Sequence, residues 1–269
     1  MFQLFQRLVL AVSFALAGLL APPAHAAGET AVFDDLLARY VTVGRDGVSR
    51  VRYAAWAANA ADKAMLDRYV ESLAKTEISK LPRNAQFAAW ANLYNAVTLQ
   101  VVLKAYPVKS IRDIKSAGVG LDLKALVGPW VEKRVTVEGR ELSLDDIEHV
   151  MLRPRFDDPR VHYAVNCASF GCPNLPTRAW RAETLDADLD AAARAFVNHP
   201  RGVTVRGDGG LALSSIYDWF KGDFGGTDAG VRAHLARYAG PELAAALAKE
   251  PKIKSHAYDW RLNDAGPKS

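Results

Sequence analysis

Apolar positions recur at helical spacing in several segments of the chain, and short runs rich in β-branched residues lie between them. The spacing predicts helices at 30–40, 62–75, 84–105, 144–152, 185–198, 229–238 and 241–249. The short runs predict strands at 48–53, 131–137, 160–167, 202–206 and 211–214. Turn residues at 138–139 and 207–210 predict two hairpins. Strands joined by hairpins, with helices elsewhere, indicate a single-domain α+β fold in which helices pack on a mainly antiparallel sheet.

The segment 84–105 is apolar on nearly every side, which predicts a buried helix. Two asparagines, Asn92 and Asn95, lie in its middle, and a buried amide without a partner costs free energy. Either these amides tie neighbouring loops to the helix, or they line a site. Most buried polar groups are structural ties, so the sequence alone favours the first interpretation.

The first 26 residues have the order of a secretory signal peptide. Arg7 precedes an apolar run from Leu8 to Leu20, and Ala24-His25-Ala26 is a small-x-small cleavage pattern. The run is shorter than the about 20 apolar residues that a membrane span needs. We therefore expect cleavage after residue 26, a periplasmic or secreted location, and one globular domain at 27–269 with no membrane span of its own.

Charge and known motifs exclude several classes of function. The chain has 34 Lys and Arg against 30 Asp and Glu, and its basic residues are scattered, so no nucleic-acid partner is expected. The sequence has no Gly-x-Ser-x-Gly elbow, no phosphate-binding loop and no dinucleotide fingerprint. Hydrolases and NAD enzymes of those types are therefore disfavoured, and we expect no cofactor.

The segment 142–176 carries most of the residue types that could perform chemistry. They are Glu148, His149, His162, Cys167 and Cys172. Glu148 and His149 lie on a predicted helix. His162 and Cys167 lie on the predicted strand 160–167, where alternation places them on opposite faces.

Three interpretations of the two cysteines remain open at this point. A Cys167–Cys172 disulfide is favoured by an oxidising compartment. Alternatively, one cysteine is a thiol nucleophile, with His162 or His149 as its base and Glu148 or Asp158 orienting that base. A metal site is disfavoured because the spacing of His162 and the two cysteines matches no zinc pattern.

Six short strings of the chain resemble the domain-of-unknown-function family 547. They are Trp90 to Ala96, Ile147 to His149, Asp158 to Ala164, Cys172-Pro173, Trp219-Phe220 with Asp223-Phe224, and Tyr258 to Trp260 with Asn263. The resemblance implies one domain of helices and sheet, loosely similar in build to the papain and transglutaminase group, and it brings no established reaction. Members of the family also occur in intracellular proteins, where a disulfide cannot explain a cysteine.

The resemblance favours a thiol-dependent enzyme that transfers acyl groups or hydrolyses amides. It implies Cys172 as the nucleophile, with His162 or His149 as base and Glu148 orienting it. A small molecule or peptide substrate would contact four further residues, Asn92, Tyr94, Asn95 and Arg160. The alternative is a non-enzymatic binding or assembly protein of the cell envelope with a structural Cys167–Cys172 disulfide.

Overall fold

A computed structural model describes residues 24–115 and 128–266 of the chain. Residues 1–23 of the predicted signal peptide lie outside the described residues. Within the two described ranges, no helix has both the length and the apolar character needed to cross a membrane.

Each helix that the periodicity predicts is present, and the structure adds four short helices that were not predicted, Tyr53–Ala58, Arg153–Phe156, Val161–Ala164 and Ile216–Trp219. They are α1 (Ala24–Tyr40), α2 (Tyr53–Ala58), α3 (Ala60–Lys75), α4 (Arg83–Ala105), α5 (Leu144–Asp146), α6 (Arg153–Phe156), α7 (Val161–Ala164), α8 (Leu185–Val197), α9 (Ile216–Trp219), α10 (Asp228–Tyr238) and α11 (Pro241–Leu247). A π-helix, Ile147–Leu152, joins α5 to α6 without a break. Short 3-10 turns occur at Ile78–Lys80, Ile111–Asp113 and Gly128–Trp130.

Within residues 24–115 and 128–266, the strands form three small sheets. They are β1 (Val41–Val43), β2 (Ser49–Val51), β3 (Val135–Val137), β4 (Arg140–Leu142), β5 (Val203–Val205), β6 (Leu211–Ser214) and β7 (Ile253–Ala257). The pairs β1–β2, β3–β4 and β5–β6 are antiparallel, and β7 adds in parallel to β6. Both predicted hairpins are present, and the α+β fold class is confirmed.

Helix α4 lies at the centre of the larger hydrophobic core, as its apolar surface predicts. Every residue from Phe87 to Leu99 is buried, and the helix packs against α2, α3 and the π-helix. It ends before Pro107, because the residue preceding a proline is disfavoured in the helical region. A helix buried this completely can position side chains on several neighbouring segments at once.

A second core lies under the β5–β6–β7 sheet, between α8 and α10. Segment α7 connects the two cores. Val161, Ala164 and Val165 pack into the α4 core, whereas Tyr163 packs into the second core.

The predicted strand at 160–167 is therefore wrong over its first half. Backbone N–H groups of residues 161 to 163 donate to the carbonyls of residues 158 to 160, which makes a helical turn after Pro159. The contacts of Val161, Ala164 and Val165 follow helical i, i+3, i+4 spacing. Because both sides of the turn are buried, period-two alternation could not separate a strand from a short helix.

Candidate functional site

A cavity of about 270 Å³ opens where α4, the π-helix, the 165–173 segment and α9 meet the chain near residue 258. Its lining combines ionisable side chains, two thiols and aromatic rings. Of the predicted catalytic residues, all four contribute to this lining: Glu148, His149, His162 and Cys172. Cys167 and Tyr94 line it as well.

The loop 168–172 is folded so that both sulfurs lie side by side. Ala168 has a positive φ of 61°, and the N–H of Cys172 donates to the carbonyl of Ser169 at 3.1 Å. Gly171 lies against the chain at Asp259, where a Cβ would approach the Asp259 backbone nitrogen to 2.8 Å. This close approach requires glycine, and it brings the neighbouring Tyr258 over the sulfurs.

Both cysteines are free thiols that share hydrogen-bond partners. The Tyr258 hydroxyl lies 3.1 Å from the sulfur of Cys167 and 3.0 Å from that of Cys172. The backbone N–H of Cys167 donates to the Cys172 sulfur at 3.0 Å. The sulfur of Cys167 also lies 3.4 Å from the hydroxyl of Ser169.

The two thiols differ in acidity. Hydrogen bonding from the Cys172 thiol, with help from Ser169 and Tyr258, lowers the pKa of Cys167 to about 7. Burial raises the pKa of Cys172 well above its ordinary value, and the adjacent Cys167 sulfur adds to this effect. Cys172 is only 3% exposed, whereas Cys167 is partly open to solvent. Acidity and exposure therefore favour Cys167 over Cys172, the thiol that the sequence analysis chose, as the reactive thiol.

The π-helix begins after a capping box and directs two ionisable side chains towards the cavity. Ser143 and Asp146 form the reciprocal bonds of a capping box at the start of α5, which leads into the π-helix. Single π-helical turns often occur at functional sites, because the wider turn re-aims the side chains that follow. Here the turn carries Glu148 and His149, which both line the cavity.

The Glu148 carboxyl is mostly enclosed, with its side chain 12% exposed. Burial raises its pKa above the ordinary value, although His149, Arg153 and a hydrogen bond from Tyr94 act in the opposite direction. The carboxyl therefore holds its proton at a higher pH than an exposed glutamate. Its Oε1 lies 3.8 Å from Nδ1 of His162.

The imidazole of His162 is oriented by a carboxylate that the sequence reasoning did not select. Nε2 of His162 lies 2.7 Å from Oδ2 of Asp223. Arg153 donates to both oxygens of Asp223, at 2.6 and 3.0 Å. The hydrogen bond from His162, followed by that from Arg153, lowers the pKa of Asp223, which stays ionised. Burial lowers the pKa of His162, whose ring stacks on Phe220 at 4.1 Å, so the imidazole is neutral near neutral pH.

The imidazole of His149 is held by Arg153. Its Nδ1 lies 2.9 Å from Nη1 of Arg153. Since a guanidinium can only donate, Nδ1 accepts this bond and neutral His149 carries its proton on Nε2. Nε2 lies 3.5 Å from Oδ1 of Asp145, another residue that lines the cavity.

Within the described ranges, no hydrogen bond joins either sulfur to an imidazole. The thiols contact each other, Ser169 and Tyr258, whereas the ring nitrogens of His162 face Asp223 and Glu148. The cysteine–histidine pair expected from the sequence is therefore not in contact, although its members line one cavity. Nor do the described residues contain a cluster of three or more His, Cys, Asp or Glu side chains able to hold a metal ion.

Asn92 and Asn95 do not line the cavity. The amide of Asn92 exchanges two 2.9 Å hydrogen bonds with the backbone of Trp180. The amide of Asn95 donates to the carbonyl of Ala164 at 2.9 Å and accepts from the N–H of Asn166 at 2.8 Å. Both side chains are fully occupied in holding α4 to neighbouring segments, which is the structural-tie interpretation.

Arg160 also lies away from the cavity. Its guanidinium binds the carboxylates of Asp158, Asp186 and Asp190 at 2.7, 2.8 and 2.9 Å. These contacts attach the turn before α7 to α8. Of the four expected substrate contacts, Tyr94 alone lies in the cavity lining.

A comparison with models of protein families matches residues 78–197 to the family described as "Protein of unknown function, DUF547". The matched segment contains α4, the π-helix, both cysteines and His162. Asp223 and Tyr258 lie beyond it. No curated protein and no solved structure matches the chain.

Proposed function

We propose that this chain, a member of the DUF547 family through residues 78–197, is a thiol-dependent enzyme that transfers or hydrolyses acyl groups, with Cys167 as nucleophile. One observation carries the proposal. A thiol of lowered pKa lines the same cavity as Glu148, an enclosed carboxyl beside the His162–Asp223 pair. Nucleophile and acid–base groups in one cleft are the parts that acyl transfer requires.

The first step uses the thiolate of Cys167. With a pKa of about 7, roughly half of this thiol is ionised at pH 7, whereas an ordinary thiol is almost wholly protonated. The thiolate attacks the carbonyl carbon of an amide or ester, and the bond from that carbon to the leaving nitrogen or oxygen breaks. The acyl group is then held as a thioester on Cys167, and the leaving group needs a proton.

Glu148 supplies that proton. Its raised pKa keeps a larger share of the carboxyl protonated, which suits a general acid. The ionised Asp223 accepts from Nε2–H of His162, which leaves the lone pair of Nδ1 facing Glu148. His162 is thus a positioning residue behind the carboxyl, so the roles that the sequence reasoning gave to Glu148 and His162 are exchanged in this proposal.

The second step returns the enzyme to its starting state. Glu148, now a carboxylate, takes a proton from the water or amine that attacks the thioester, and the carbon–sulfur bond breaks to release the Cys167 thiolate. The Cys172 thiol remains protonated and donates to Cys167, which stabilises the leaving thiolate. Nε2–H of His149 is available as a donor to the carbonyl oxygen.

Intact-mass and peptide-mass measurements after incubation with 4-nitrophenyl acetate test the proposal. We expect an acetyl adduct on Cys167, its absence in Cys167→Ser, and its persistence in Glu148→Gln because deacylation is slowed. Glu141→Gln, which removes an exposed carboxyl outside the cavity lining, should behave as the unmodified protein. Acetylation confined to Cys172 or to surface lysines would refute the proposed nucleophile.

The contact between the two thiols favours a second candidate, dithiol–disulfide exchange. In that reaction the Cys167 thiolate attacks an external disulfide and releases one thiol. The Cys172 sulfur then displaces the second thiol and forms a Cys167–Cys172 disulfide. The predicted export signal supports this candidate, since disulfides persist outside the cytoplasm. The same bridge, left unreduced, would also suit the alternative of a binding or assembly protein.

Mass spectrometry in glutathione buffers of graded composition separates these candidates. A bridge that forms and opens within the range of the glutathione couple supports exchange. A bridge that glutathione never opens supports a structural disulfide. Two thiols that stay reduced throughout support the acyl-transfer proposal.

A further inference from the structure

Several aromatic rings line the same cavity as the carboxyls. We call this set of four, Trp130, Trp219, Tyr258 and Trp260, the aromatic wall. Their ring centroids lie 4.6 to 6.0 Å apart along a continuous series of contacts. Trp219 is 47% exposed, which is unusual for the largest apolar side chain. The acyl-transfer chemistry uses only the hydroxyl of Tyr258, so the faces of these rings have no assigned role.

The carboxyl groups that line the cavity are not matched by a basic side chain in the same lining. The lining includes the carboxyls of Asp145 and Glu148, and no described lysine or arginine belongs to it. The nearby Arg153 is held by the two hydrogen bonds that it donates to Asp223. The thiolate of Cys167 adds further negative charge. This local balance is opposite in sign to that of the whole chain, which carries a net charge of +4.

We infer that the aromatic wall and Asp145 form a subsite for an alkylammonium group of the substrate. Aromatic faces attract cations through their quadrupole, and a carboxylate at the edge adds direct charge pairing. Asp145 is suited to this role because its side chain is 49% exposed and its nearest partner is the 3.5 Å contact with His149. The inference rests on the proposed function in so far as it names the substrate of that cavity.

The protein already binds a cation on one of these rings. The guanidinium carbon of Arg112 lies 5.1 Å from the ring centroid of Trp260, within the range of a cation–π contact. Trp219 has no such internal cation among the described contacts, although it is the most exposed ring of the aromatic wall. A bound alkylammonium group would form with Trp219 the same kind of cation–π contact that Arg112 forms with Trp260.

The charge preference of the cavity can be measured at Cys167 itself. Three small alkylating reagents differ in charge: 2-bromoethylammonium, iodoacetamide and iodoacetate. The rate of each at Cys167 is divided by its rate with a cysteine peptide at the same pH. We expect the ratio for the cation to exceed that for the neutral reagent by about tenfold, and the ratio for the anion to fall below it.

Variants assign this preference to the subsite. Trp219→Leu keeps an apolar side chain but removes the ring, and Asp145→Asn removes the charge. Each should reduce the cation preference severalfold, measured as the rate of the cation divided by the rate of iodoacetamide in the same variant. Glu141→Gln makes the same kind of charge change away from the cavity and should alter none of the ratios. A cation ratio equal to the neutral ratio in the unmodified protein would overturn the inference.

Direct binding supplies a second measurement that does not depend on the thiol. We expect n-pentylammonium to change tryptophan fluorescence at concentrations about tenfold below those needed for 1-pentanol, and Trp219→Leu to abolish the difference. Equal effects of the two probes would show that the rings bind apolar surface alone. Nα-acetyl-lysine methylamide and alanine methylamide then tell a lysine side chain from a free peptide N-terminus as the source of the ammonium group.

These experiments test the alkylammonium subsite and the Cys167 nucleophile separately. Fast labelling by iodoacetamide without a cation preference would overturn the subsite and leave Cys167 as the nucleophile. Slow labelling by iodoacetamide together with selective binding of n-pentylammonium would overturn the nucleophile and support the subsite.

Discussion

The hydroxyl of Tyr258 lies within hydrogen-bond distance of both sulfurs, which makes Tyr258→Phe an informative perturbation. Burial raises the pKa of Tyr258 well above its ordinary value, so the hydroxyl keeps its proton and remains a donor. The variant removes one oxygen and retains the ring that contacts Trp219 and Trp260. Any effect on the thiols therefore comes from the lost hydrogen bond.

The expected change in the pKa of Cys167 follows from this shared hydrogen bond. A hydrogen bond to a charged group contributes about 1.5 to 3 kcal/mol. Because this hydroxyl is shared by two sulfurs, we take the lower figure, which corresponds to about one pH unit. The pKa of Cys167 should rise from about 7 to about 8, and its thiolate fraction at pH 7 should fall from roughly a half to roughly a tenth.

The assay is the rate of iodoacetamide alkylation at Cys167 as a function of pH, resolved by peptide mass spectrometry. Tyr106→Phe is the matched control, since its hydroxyl bonds to Asp264 outside the cavity lining. A midpoint in Tyr258→Phe identical to that in the control would refute the idea that Tyr258 stabilises the thiolate.

Three further predictions concern the stability of the fold and the role of Asp223 in turnover. Burial lowers the pKa of His234 to about 4 from an ordinary 6.5. Its contribution to the free energy of unfolding, about 3 kcal/mol, should therefore be complete above pH 6.5 and be lost as the pH falls towards 4. Urea unfolding at several pH values measures this loss, and His234→Gln should flatten the dependence of stability on pH. Asn95→Ala should lower the free energy of unfolding by about 2 to 3 kcal/mol, because it leaves the buried N–H of Asn166 unpaired. The midpoint pH of Cys167 alkylation should stay the same, and a shifted midpoint would show that Asn95 acts on the site. Asp223→Asn should abolish turnover of the acetyl-enzyme while changing the alkylation rate of Cys167 less than about twofold, and full turnover would contradict the role of Asp223 and His162 in positioning Glu148.

Local signals in the sequence were sufficient for most of the fold. The all-round apolar surface of 84–105 predicted the burial of α4, and helical spacing predicted the helical segment at 144–152. Both hairpins followed from their turn residues. These features could be predicted because each depends on residues a few positions apart.

The parts of the site that sequence reasoning missed depend on contacts between distant residues. Cys167 and Cys172 differ in burial and share a contact with Tyr258, which lies about 90 positions along the chain, and neither feature can be seen in the sequence. Asp223 is joined to His162 across 61 positions. Its signal was present only as part of the Trp219-to-Phe224 string in the family resemblance. The helical turn α7 was mistaken for a strand because both of its sides are buried.

The most direct test of the account is the rate at which iodoacetamide alkylates Cys167 at pH 7, relative to a free cysteine peptide and to Cys172. A pKa of about 7 against the ordinary 9.0 gives about fifty times more thiolate. The lower basicity of that thiolate reduces its intrinsic reactivity by about eightfold. We expect Cys167 to react about sixfold faster than the peptide, with a midpoint near pH 7, and Cys172 to react more slowly than the peptide. A Cys167 midpoint near pH 9, or faster labelling of Cys172, would contradict the account.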